Sequence, residues 1–235
     1  MSRKSVAYCL TRNIYHKVVP SIRSLLHFND IDRIYLLIED DTFPLELPEQ
    51  AVIINVSDQP YFHHDGPNYN QRWTYMVLMR AALTKYLTEE ERVLSLDVDT
   101  IIRGDISALW DIDLTGWYLA GVREPYWSHV YKRLYVNMGV VMFNLEQLRR
   151  DGMDDRIIAV LNTEQYNLNE QDVINKLCAR RMLEVAGRYN ANPYTAHDSI
   201  VLIKHYAGTD NWYEMKEAQE WTLEWRCSNS CLETK

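Results

Sequence analysis

The sequence predicts an α/β fold, in which a mixed and mostly parallel central sheet is flanked by helices. Two patterns support this fold class: short apolar segments alternate with longer amphipathic ones, and an Asp-X-Asp triplet closes the fourth apolar segment. Strands that alternate with helices favour a parallel sheet. With 235 residues, of which 47% are hydrophobic, the chain can bury one substantial core. We therefore expect a single domain over residues 1–235.

The first hundred residues contain four predicted strands and two predicted helices. Apolar runs predict the strands, at 5–10, 33–39, 51–56 and 92–96. Apolar residues three or four positions apart predict the helices, at 14–28 and 72–87. Pro20 lies inside the first helix, where we expect a kink because proline cannot donate a backbone hydrogen bond.

The second part of the chain has a more mixed pattern. Strands are predicted at 117–122, 137–145 and 200–208. A segment that breaks at Gly152 predicts two helices, and a further helix is predicted at 169–181 with Asn169 as its N-cap. We see no repeat, low-complexity tract or proline-rich linker, which supports one domain.

The charge balance and the cysteines restrict the class of protein. The net charge of −8 argues against binding to nucleic acid, which needs a basic surface. We see neither a signal peptide nor an apolar stretch of about 18 residues, the length that a transmembrane helix needs. The four cysteines, Cys9, Cys178, Cys227 and Cys231, form no convincing zinc motif. We expect a reduced, cytoplasmic protein without a transmembrane segment; peripheral membrane contact and the oligomeric state stay open.

Two carboxylates at the end of a buried strand need a reason. Asp97 and Asp99 follow the apolar run that ends at Leu96, and a carboxylate taken out of water is costly unless it is paired or binds a metal. Oxygen ligands suit Mg²⁺ and Mn²⁺, and an added imidazole favours Mn²⁺. His205 is the candidate imidazole, because it also ends an apolar strand. The alternative is that Asp97 begins an ordinary polar turn.

Five segments, which occur along the chain in the same order as in the family, resemble the retaining glycosyltransferases of family 8, which include glycogenin and bacterial lipopolysaccharide galactosyltransferases. The segment RVLSLDVDTIIRGDISALW at 92–110 is similar to the family's metal-binding strand and loop. The other four are VAYCLTRNIYHKVVPSIRSLL at 6–26, YVNMGVVMFNLEQLR at 135–149, NLNEQDVIN at 167–175 and HYAG at 205–208. Together the five segments spread over nearly the whole chain.

The resemblance implies a GT-A fold, which is a Rossmann-like nucleotide-sugar-binding domain. It implies transfer of a hexose from a UDP-sugar to a glycan or glycolipid acceptor, with Mn²⁺ as cofactor and Mg²⁺ as the alternative ion. Residues 1–100 would form the nucleotide-binding half, and residues 101–235 the sugar and acceptor half with a short C-terminal tail. The implied metal ligands are Asp97, Asp99 and His205. The loops expected to hold donor-closure and acceptor contacts are 57–71 and 123–135.

Donor-binding residues follow from the same resemblance. Leu10, Thr11 and Tyr15 match the positions that cradle uracil and stack on it, and the alternative for Tyr15 is a surface position on a helix. Arg80 matches an arginine that reaches the donor, which would explain a buried guanidinium. The remaining donor-site candidates are Val98, Glu124, Glu170 and Gly208.

The implied catalytic residues are Asn137, Gln171 and Asp172. Gln171 stands near the position where a retaining enzyme with a carboxylate nucleophile would carry Asp or Glu. An amide is a poor nucleophile, so the resemblance implies a front-face reaction in which the leaving phosphate helps to deprotonate the acceptor. The alternative for Glu170 and Asp172 is that they are first-turn charges, which the helix dipole favours without any catalytic role.

The chain departs from the family pattern after the histidine loop. Asn211 stands where a lysine that helps to hold the diphosphate is expected, and Lys204 or Lys216 is the candidate substitute. This departure keeps open a binding protein of the same fold without turnover. A phosphatase of the haloacid-dehalogenase type also uses Asp-X-Asp after a strand, but that chemistry requires threonine where Ile101 stands.

Overall fold

The computed structural model describes residues 3–69 and 74–222. Nine strands lie in this part of the chain: β1 Ser5–Cys9, β2 Arg33–Ile38, β3 Ala51–Asn55, β4 Arg92–Leu96, β5 Thr100–Ile102, β6 Leu119–Arg123, β7 Val136–Asn144, β8 Met182–Val185 and β9 Ile203–His205. Seven of them form the central sheet, in the spatial order β3-β2-β1-β4-β7-β6-β8. The other two, β5 and β9, form a separate antiparallel pair.

The central sheet is mixed and mostly parallel, as predicted. β1 pairs in parallel with β2 and β4, β2 with β3, and β6 with β8. β7 runs antiparallel to both of its neighbours, β4 and β6. The carboxyl end of β4 therefore lies beside the first half of β7, where Leu96 is paired with Val140.

Six α-helices and five 3₁₀ helices lie wholly within the described residues and surround the strands. The α-helices are α1 Val19–Phe28, α2 Leu83–Tyr86, α3 Pro125–Tyr131, α4 Leu145–Arg150, α5 Met153–Thr163 and α6 Asn169–Leu177. The 3₁₀ helices are Arg12–Val18, Tyr75–Ala82, Ser107–Leu109, Gly187–Tyr189 and Trp212–Glu214. The chain is helical again at 216–222, where the described part ends.

Several element boundaries differ from those predicted. Pro20 does not kink a helix, because it occupies the first turn of α1, where the missing N–H is not needed. The helix predicted at 72–87 is a 3₁₀ helix over most of its length, and residues 72 and 73 lie outside the described residues. Asn169 is not an N-cap: Leu168 takes that position, and Asn169 adopts a left-handed φ of 44°.

The core consists of two apolar layers, one on each face of the sheet. Alternate residues of a strand point to opposite faces, so Val93 and Val141 contribute to one layer while Leu94 and Val140 contribute to the other. Cys178 is buried and Cys9 is half-buried, and both are free thiols. Cys227 and Cys231 lie outside the described residues. No helix in residues 3–69 and 74–222 has the length and apolar character to cross a membrane.

Candidate active site

The three predicted metal ligands lie together at the carboxyl end of β4. The His205 Nε2 atom lies 3.3 Å from an Asp99 carboxylate oxygen and 3.6 Å from an Asp97 carboxylate oxygen. One ligand atom from each of the three residues lies within 4.8 Å of the other two. Residues more than a hundred positions apart in the sequence therefore form one compact cluster.

Backbone pairing explains how the cluster forms. The chain turns at Asp97–Asp99 and continues as β5, in which Thr100 is paired with His205 of β9. The Tyr206 N–H donates to the Asp99 carbonyl oxygen at 2.9 Å, and the Asp97 N–H donates to the Gly139 carbonyl oxygen at 2.8 Å. The second strand pair thus carries His205 to the same point as the two aspartates.

Gly139 leaves the space that the His205 ring occupies. A Cβ atom built on Gly139 would lie 2.1 Å from His205 Cε1 and 2.9 Å from an Asp97 carboxylate oxygen. Both distances are far shorter than any van der Waals contact, so a side chain here would displace the cluster. A glycine inside a strand that otherwise favours larger residues marks such a close approach.

Arg80 is the cation that pairs with the acidic groups around this cluster. Its side chain is 9% exposed and pairs with Asp97 and, at 2.7 Å, with Glu170. Its Nε atom also donates to the Ser95 hydroxyl at 3.3 Å. Such contacts satisfy a buried guanidinium.

The charges of the site favour a bound cation. Burial alone would raise the pKa of Asp99, but the adjacent His205 outweighs burial and lowers it. Burial opposes a charge on His205, whereas Asp99 and Asp97 raise its pKa. Two carboxylates and one imidazole form the donor set that a divalent ion such as Mn²⁺ accepts. The residues therefore fit a divalent cation, whose identity they do not specify.

A second group of polar side chains extends from the cluster along β7 and α6. Asn137 donates to Glu124 at 2.6 Å, and Gln171 contacts the same Glu124 oxygen at 3.4 Å. The Gln171 carbonyl accepts from the Met138 N–H at 3.0 Å. Asn137, Gln171, Glu124 and Asp172 are thus within one hydrogen-bonded network, in which Tyr135 donates to Asp172 at 2.6 Å.

Two carboxyl groups here have pKa values above the usual range. Burial raises the pKa of Glu170 to about 7, against the opposing effect of Arg80. Burial also raises the pKa of Glu124, while its hydrogen bonds from Asn137 and Gln171 lower it. Perturbed carboxyl groups that converge in this way are typical of functional sites.

The predicted nucleotide-binding residues lie near the carboxyl ends of β1 and β2. Leu10 is fully buried, and its N–H donates to Leu37. The Tyr15 hydroxyl donates to Asp40 at 2.9 Å, and the Tyr15 ring stacks on Phe43 at 5.3 Å between centroids. Because Tyr15 is only 3% exposed, stacking of a base on its ring would require a rearrangement of this segment. Thr11 is half-buried and donates to Asn13 at 2.7 Å.

Two further donor-site candidates lie on either side of His205. Val98 separates the two aspartates and packs against two apolar clusters, one that includes Leu96 and one that includes Ile101. Gly208 has a φ of +73°, and a Cβ there would lie 2.8 Å from the Tyr194 hydroxyl. Glycine is therefore required at position 208 by its backbone conformation and by the neighbouring ring.

Neither of the two lysines considered as substitutes for the lysine expected at position 211 contacts the cluster. Asn211 precedes the 3₁₀ helix at Trp212–Glu214. Lys204 alternates with His205 in β9, so its side chain points to the opposite side, where its Nζ lies 5.5 Å from the centre of the Tyr206 ring. The Lys216 side chain is 91% exposed and pairs with Glu220.

Sequence reasoning missed three residues of the site. Asn190 and Asn192 contact His205, and Tyr135 contacts both Gln171 and Asp172. Tyr135 is the first residue of the family-like segment 135–149 and could have been noticed for that reason. The two asparagines lie in an irregular segment, and no periodic pattern distinguishes them from loop residues.

Comparison with known proteins identifies chains of similar sequence. The profile described as glycosyl transferase family 8 matches residues 5–212. A putative glycosyltransferase of Haemophilus influenzae is 27% identical over 185 residues, which is 67% of this chain and 55% of that protein. The glycosyltransferase GlyB of Streptococcus pneumoniae is 24% identical over 95% of this chain and 55% of its own length. The chain spans about half the length of these two relatives.

Solved structures of similar fold agree with these sequence matches. The galactosyltransferase LgtC, solved with donor and acceptor sugar analogs, superposes with a TM-score of 0.70 at 18% identity and covers 95% of both chains. The glycosyltransferase GlyE of Streptococcus pneumoniae superposes with a TM-score of 0.69 at 18% identity, over 97% of this chain and 64% of GlyE. At these identities the likeness concerns the fold, which is the GT-A fold that LgtC has.

Proposed function

The chain belongs to glycosyltransferase family 8, and from this premise we propose that it transfers a hexose from a UDP-sugar to a glycan or glycolipid acceptor. We include Mn²⁺ dependence and retention of the anomeric configuration in the proposal. The observation that carries it is the convergence of Asp97, Asp99 and His205, whose ligand atoms lie within 4.8 Å of one another. A divalent cation held there would neutralise the diphosphate of the donor and stabilise it as a leaving group.

The polar network beside the cluster supports a role in holding the donor sugar. Glu124 accepts from Asn137 and contacts Gln171. The Asn137 oxygen in turn accepts from the N–H of Gly139, the residue of β7 that lies against the cation cluster. Asn and Glu side chains can bind sugar hydroxyls by exchanging these internal hydrogen bonds. We assign the nucleotide to residues 1–100 and the sugar and acceptor to the later half, which share the central sheet through β4 and β7.

The reaction that we propose takes place on one face of the donor sugar. The bond from the anomeric carbon to the phosphate oxygen breaks, and a bond from that carbon to the acceptor oxygen forms on the same face. The acceptor proton passes to the leaving phosphate. Gln171 is half-buried beside Glu124 and has an amide in place of a carboxylate, so it would support the positive charge at the anomeric carbon without forming a bond.

The acceptor side of the site is assigned to α3. Its first residue follows Glu124, and its Trp127 and Tyr131 rings stack at 5.7 Å between centroids. Tyr131 stacks in turn on Tyr135 at 5.6 Å, and Tyr135 donates to Asp172. Tyr131 is 42% exposed. An exposed aromatic surface that continues to a predicted catalytic residue is suited to pack against the apolar face of a sugar ring.

The remaining parts of the proposal concern the protein's surroundings. Two free thiols, Cys9 and Cys178, support a reducing compartment such as the cytoplasm. The acidic net charge of −8 supports a partner other than nucleic acid. The phosphatase alternative is set aside because the chain belongs to family 8.

Release of UDP from a set of UDP-sugars with Mn²⁺ tests the proposal. We expect turnover with one donor, its loss in excess chelator, and its loss in Asp99→Asn with the fold retained by circular dichroism. Asp111→Asn is the matched control, since Asp111 is exposed and lies beside the opposite end of β4, where Arg92 contacts the Trp110 carbonyl. Full activity of Asp99→Asn, or of the wild type in chelator, would contradict the proposal.

Binding without turnover is the second candidate function, and Asn211 favours it because a cation expected near the diphosphate is absent at that position. Calorimetry with UDP and Mn²⁺ separates the two. Tight donor binding without UDP release, whichever acceptor is supplied, would identify a binding protein of the same fold.

Replacement of Gln171 tests whether its side chain acts at the anomeric carbon of the donor sugar. We expect Gln171→Ala to lower the rate of transfer by roughly 100-fold, because transition-state stabilisation is lost. The dissociation constant for UDP should change by less than about threefold, since the amide is assigned to the sugar rather than to the nucleotide. Comparable losses in the rate and in UDP binding would mean that Gln171 is only structural.

A further inference from the structure

We propose that Asn190 is a positioning residue, which holds the His205 ring with its proton on Nδ1 and so presents the Nε2 lone pair to the space shared with Asp97 and Asp99. This inference rests on the proposed use of a divalent cation at that cluster. It assigns a role to a residue that the sequence does not single out. A backbone N–H group, which can only donate, orients the first of a series of hydrogen bonds that ends at the imidazole.

The first step fixes the orientation of the Asn137 amide. The Gly139 backbone N–H lies 3.0 Å from Asn137 Oδ1. A backbone N–H can only donate, so the amide atom that it meets must be oxygen. The other end of the amide, Nδ2, then donates to Glu124 at 2.6 Å, as a nitrogen beside a carboxylate should.

The Asn137 oxygen determines the orientation of the Asn190 amide. The Asn190 atom that lies 2.8 Å from Asn137 Oδ1 must be the donor Nδ2, because Oδ1 can only accept. The opposite end of the Asn190 amide is therefore its oxygen. Asn192 Nδ2 donates to that oxygen at 2.8 Å, which supports the same orientation.

The third step fixes the proton on His205. The Asn190 oxygen lies 2.9 Å from His205 Nδ1, and an oxygen and a nitrogen at this distance need a hydrogen between them, so Nδ1 carries it. Asn192 Nδ2 lies farther from the same ring nitrogen, at 3.3 Å, and already donates to the Asn190 oxygen at 2.8 Å. In the neutral ring Nε2 then has a free lone pair. This atom is the one that lies 3.3 Å from Asp99 and 3.6 Å from Asp97.

The surroundings keep this arrangement dry and rigid. Asn190 is fully buried, Asn192 is 4% exposed and His205 is 3% exposed, so bulk water does not compete for these bonds. Ala191 is paired with β9, since its N–H donates to Ile203 at 2.9 Å and its carbonyl accepts from the His205 N–H at 3.1 Å. Residues 190–192 thus run alongside β9 and hold the imidazole from one side.

One consequence is that the cation cluster and the sugar-side network are joined by two asparagines. The path runs from His205 through Asn190 to Asn137, and from there to Glu124. A ligating histidine whose other ring nitrogen is held in this way gains a fixed tautomer and orientation, and loss of such a partner commonly weakens metal binding by about 10- to 100-fold.

Nitrogen-15 NMR of labelled histidine, recorded on the protein saturated with the diamagnetic ion Mg²⁺, tests the tautomer directly. A His205→Gln spectrum assigns the signal. We expect the wild-type His205 to show Nδ1–H and Asn190→Ala to lose that preference. An Nε2–H tautomer in the wild type would overturn the inference, whatever the metal affinity proves to be.

Titration of Mn²⁺ into the donor-free protein, followed by electron paramagnetic resonance of the free ion, gives the second measurement. We expect Asn190→Ala to weaken Mn²⁺ binding by about 10- to 100-fold. Asn190→Asp should stay within a few-fold of the wild type, because a carboxylate still accepts from Nδ1–H although it cannot donate to Asn137. Asn68→Ala is the control for loss of a buried, hydrogen-bonded asparagine remote from the cluster.

The outcomes separate this inference from the proposed function. Equal Mn²⁺ affinity in the wild type and in a folded Asn190→Ala would overturn the positioning role while leaving the proposed function intact. Absence of Mn²⁺ binding by the wild type would overturn both. A weakening of the same size in Asn68→Ala would show a general loss of stability and would also count against Asn190.

Discussion

Arg80 holds together two carboxylates that would otherwise repel each other. Its guanidinium pairs with Asp97 on one side and with Glu170 on the other. Removing one partner of such a buried set leaves an unpaired charge, which costs several kcal/mol. Arg80 therefore has a structural role in placing Asp97, in addition to any contact with a donor. The buried Glu170 is the member whose ionisation is most costly, since its pKa lies near 7.

Glu170 should make the stability of the fold depend on pH. Its pKa rises from 4.5 to about 7 on folding, chiefly through burial. Between these two values the folded protein keeps a proton that the unfolded chain releases, so the free energy of unfolding falls as the pH rises. This fall amounts to at most about 3 kcal/mol. Glu170→Gln cannot ionise, and we expect the fall to disappear in urea denaturation curves measured from pH 4.5 to 7.5.

Glu164→Gln is the matched control, because Glu164 is exposed and its pKa is lowered by Tyr166 and Lys176. In Glu164→Gln the free energy of unfolding should still fall between pH 4.5 and 7, as it does in the wild type. Parallel pH profiles for the wild type and Glu170→Gln would show that Glu170 ionises in the folded protein at no net cost, and that its pairing with Arg80 outweighs burial.

The strands of the first half could be predicted from sequence, whereas the second strand pair could not. Residues of β1 to β4 lie in unbroken apolar runs, which give a clear signal. Strand β9 lies inside the segment 200–208 that is predicted as a strand, but β5 has only three residues, too few for any periodicity. The pairing of β5 with β9 joins residues about a hundred positions apart, which no local pattern indicates. Sequence reasoning reached His205 because it ends a predicted apolar strand, and the family resemblance supports the same residue. Asn190 has no such motif around it, so it could not be found.

Helical periodicity also failed to distinguish two kinds of helix. Tyr75–Ala82 is a 3₁₀ helix, although its apolar residues recur at three- and four-residue spacing. Both kinds of helix place residues three positions apart near one another, so the pattern alone does not decide between them. Conversely, Pro125–Tyr131 forms α3 inside the segment 123–135 that is expected to be a loop, and Pro125 directly after Glu124 is a common start of a helix.

Strand β7 depends on Gly139 at the point where it passes the cluster. We expect Gly139→Ala to weaken Mn²⁺ binding by at least about 10-fold, because the added methyl group would lie 2.1 Å from His205 Cε1. Overpacking of this kind also costs roughly 1–3 kcal/mol of stability. Calorimetric Mn²⁺ titration and urea denaturation measure the two effects.

Gly121→Ala in the adjacent β6 separates a general packing effect from a local one. Its Cβ would lie 3.2 Å from Val136 and near no residue of the cluster. This variant should lose stability and keep its Mn²⁺ affinity. If Gly139→Ala binds Mn²⁺ as tightly as Gly121→Ala does, the close approach of β7 to His205 has no influence on the cluster.

The aromatic side chains of helix α3 should affect binding of the acceptor and leave hydrolysis of the donor unchanged. We expect Trp127→Ala and Tyr131→Ala to raise KM for the acceptor about fivefold each, which corresponds to roughly 1 kcal/mol of lost aromatic contact. Hydrolysis of the UDP-sugar without acceptor should keep its rate. Phe28→Ala, at an exposed aromatic position on α1, is the control. If the α3 variants slowed hydrolysis and transfer equally, α3 would have a role in stability or in donor binding and not in acceptor binding.

The cation cluster joins parts of the chain that the central sheet alone leaves apart. Asp97 and Asp99 follow β4, His205 belongs to the second strand pair, and Arg80 connects the cluster to Glu170 on α6. The strand pair β5–β9 is short, because β5 pairs with β9 over only three residues in the described chain. A cation shared by Asp99 and His205 would therefore bind the folded protein alone and strengthen this weak connection.

Such a ligand should raise the thermal stability of the protein. A ligand that binds only the folded state adds about 2.7 kcal/mol at a concentration of 100 times its dissociation constant. For a chain of this length that is a rise in Tm of roughly 5–10 °C. We expect this rise with Mn²⁺ in scanning calorimetry, and a larger one with Mn²⁺ and UDP together, because the diphosphate supplies further ligands to the ion.

The pattern across variants shows whether the rise comes from the cluster. Asp99→Asn and His205→Ala should lose the Mn²⁺-dependent rise, while Asp111→Asn keeps it. Asn190→Ala should need a higher Mn²⁺ concentration for the same rise, because its folded state binds the ion more weakly although the three ligands are present. An equal rise in Tm for all four variants would mean that Mn²⁺ acts elsewhere on the acidic surface, and Asp97, Asp99 and His205 would then have no common ligand.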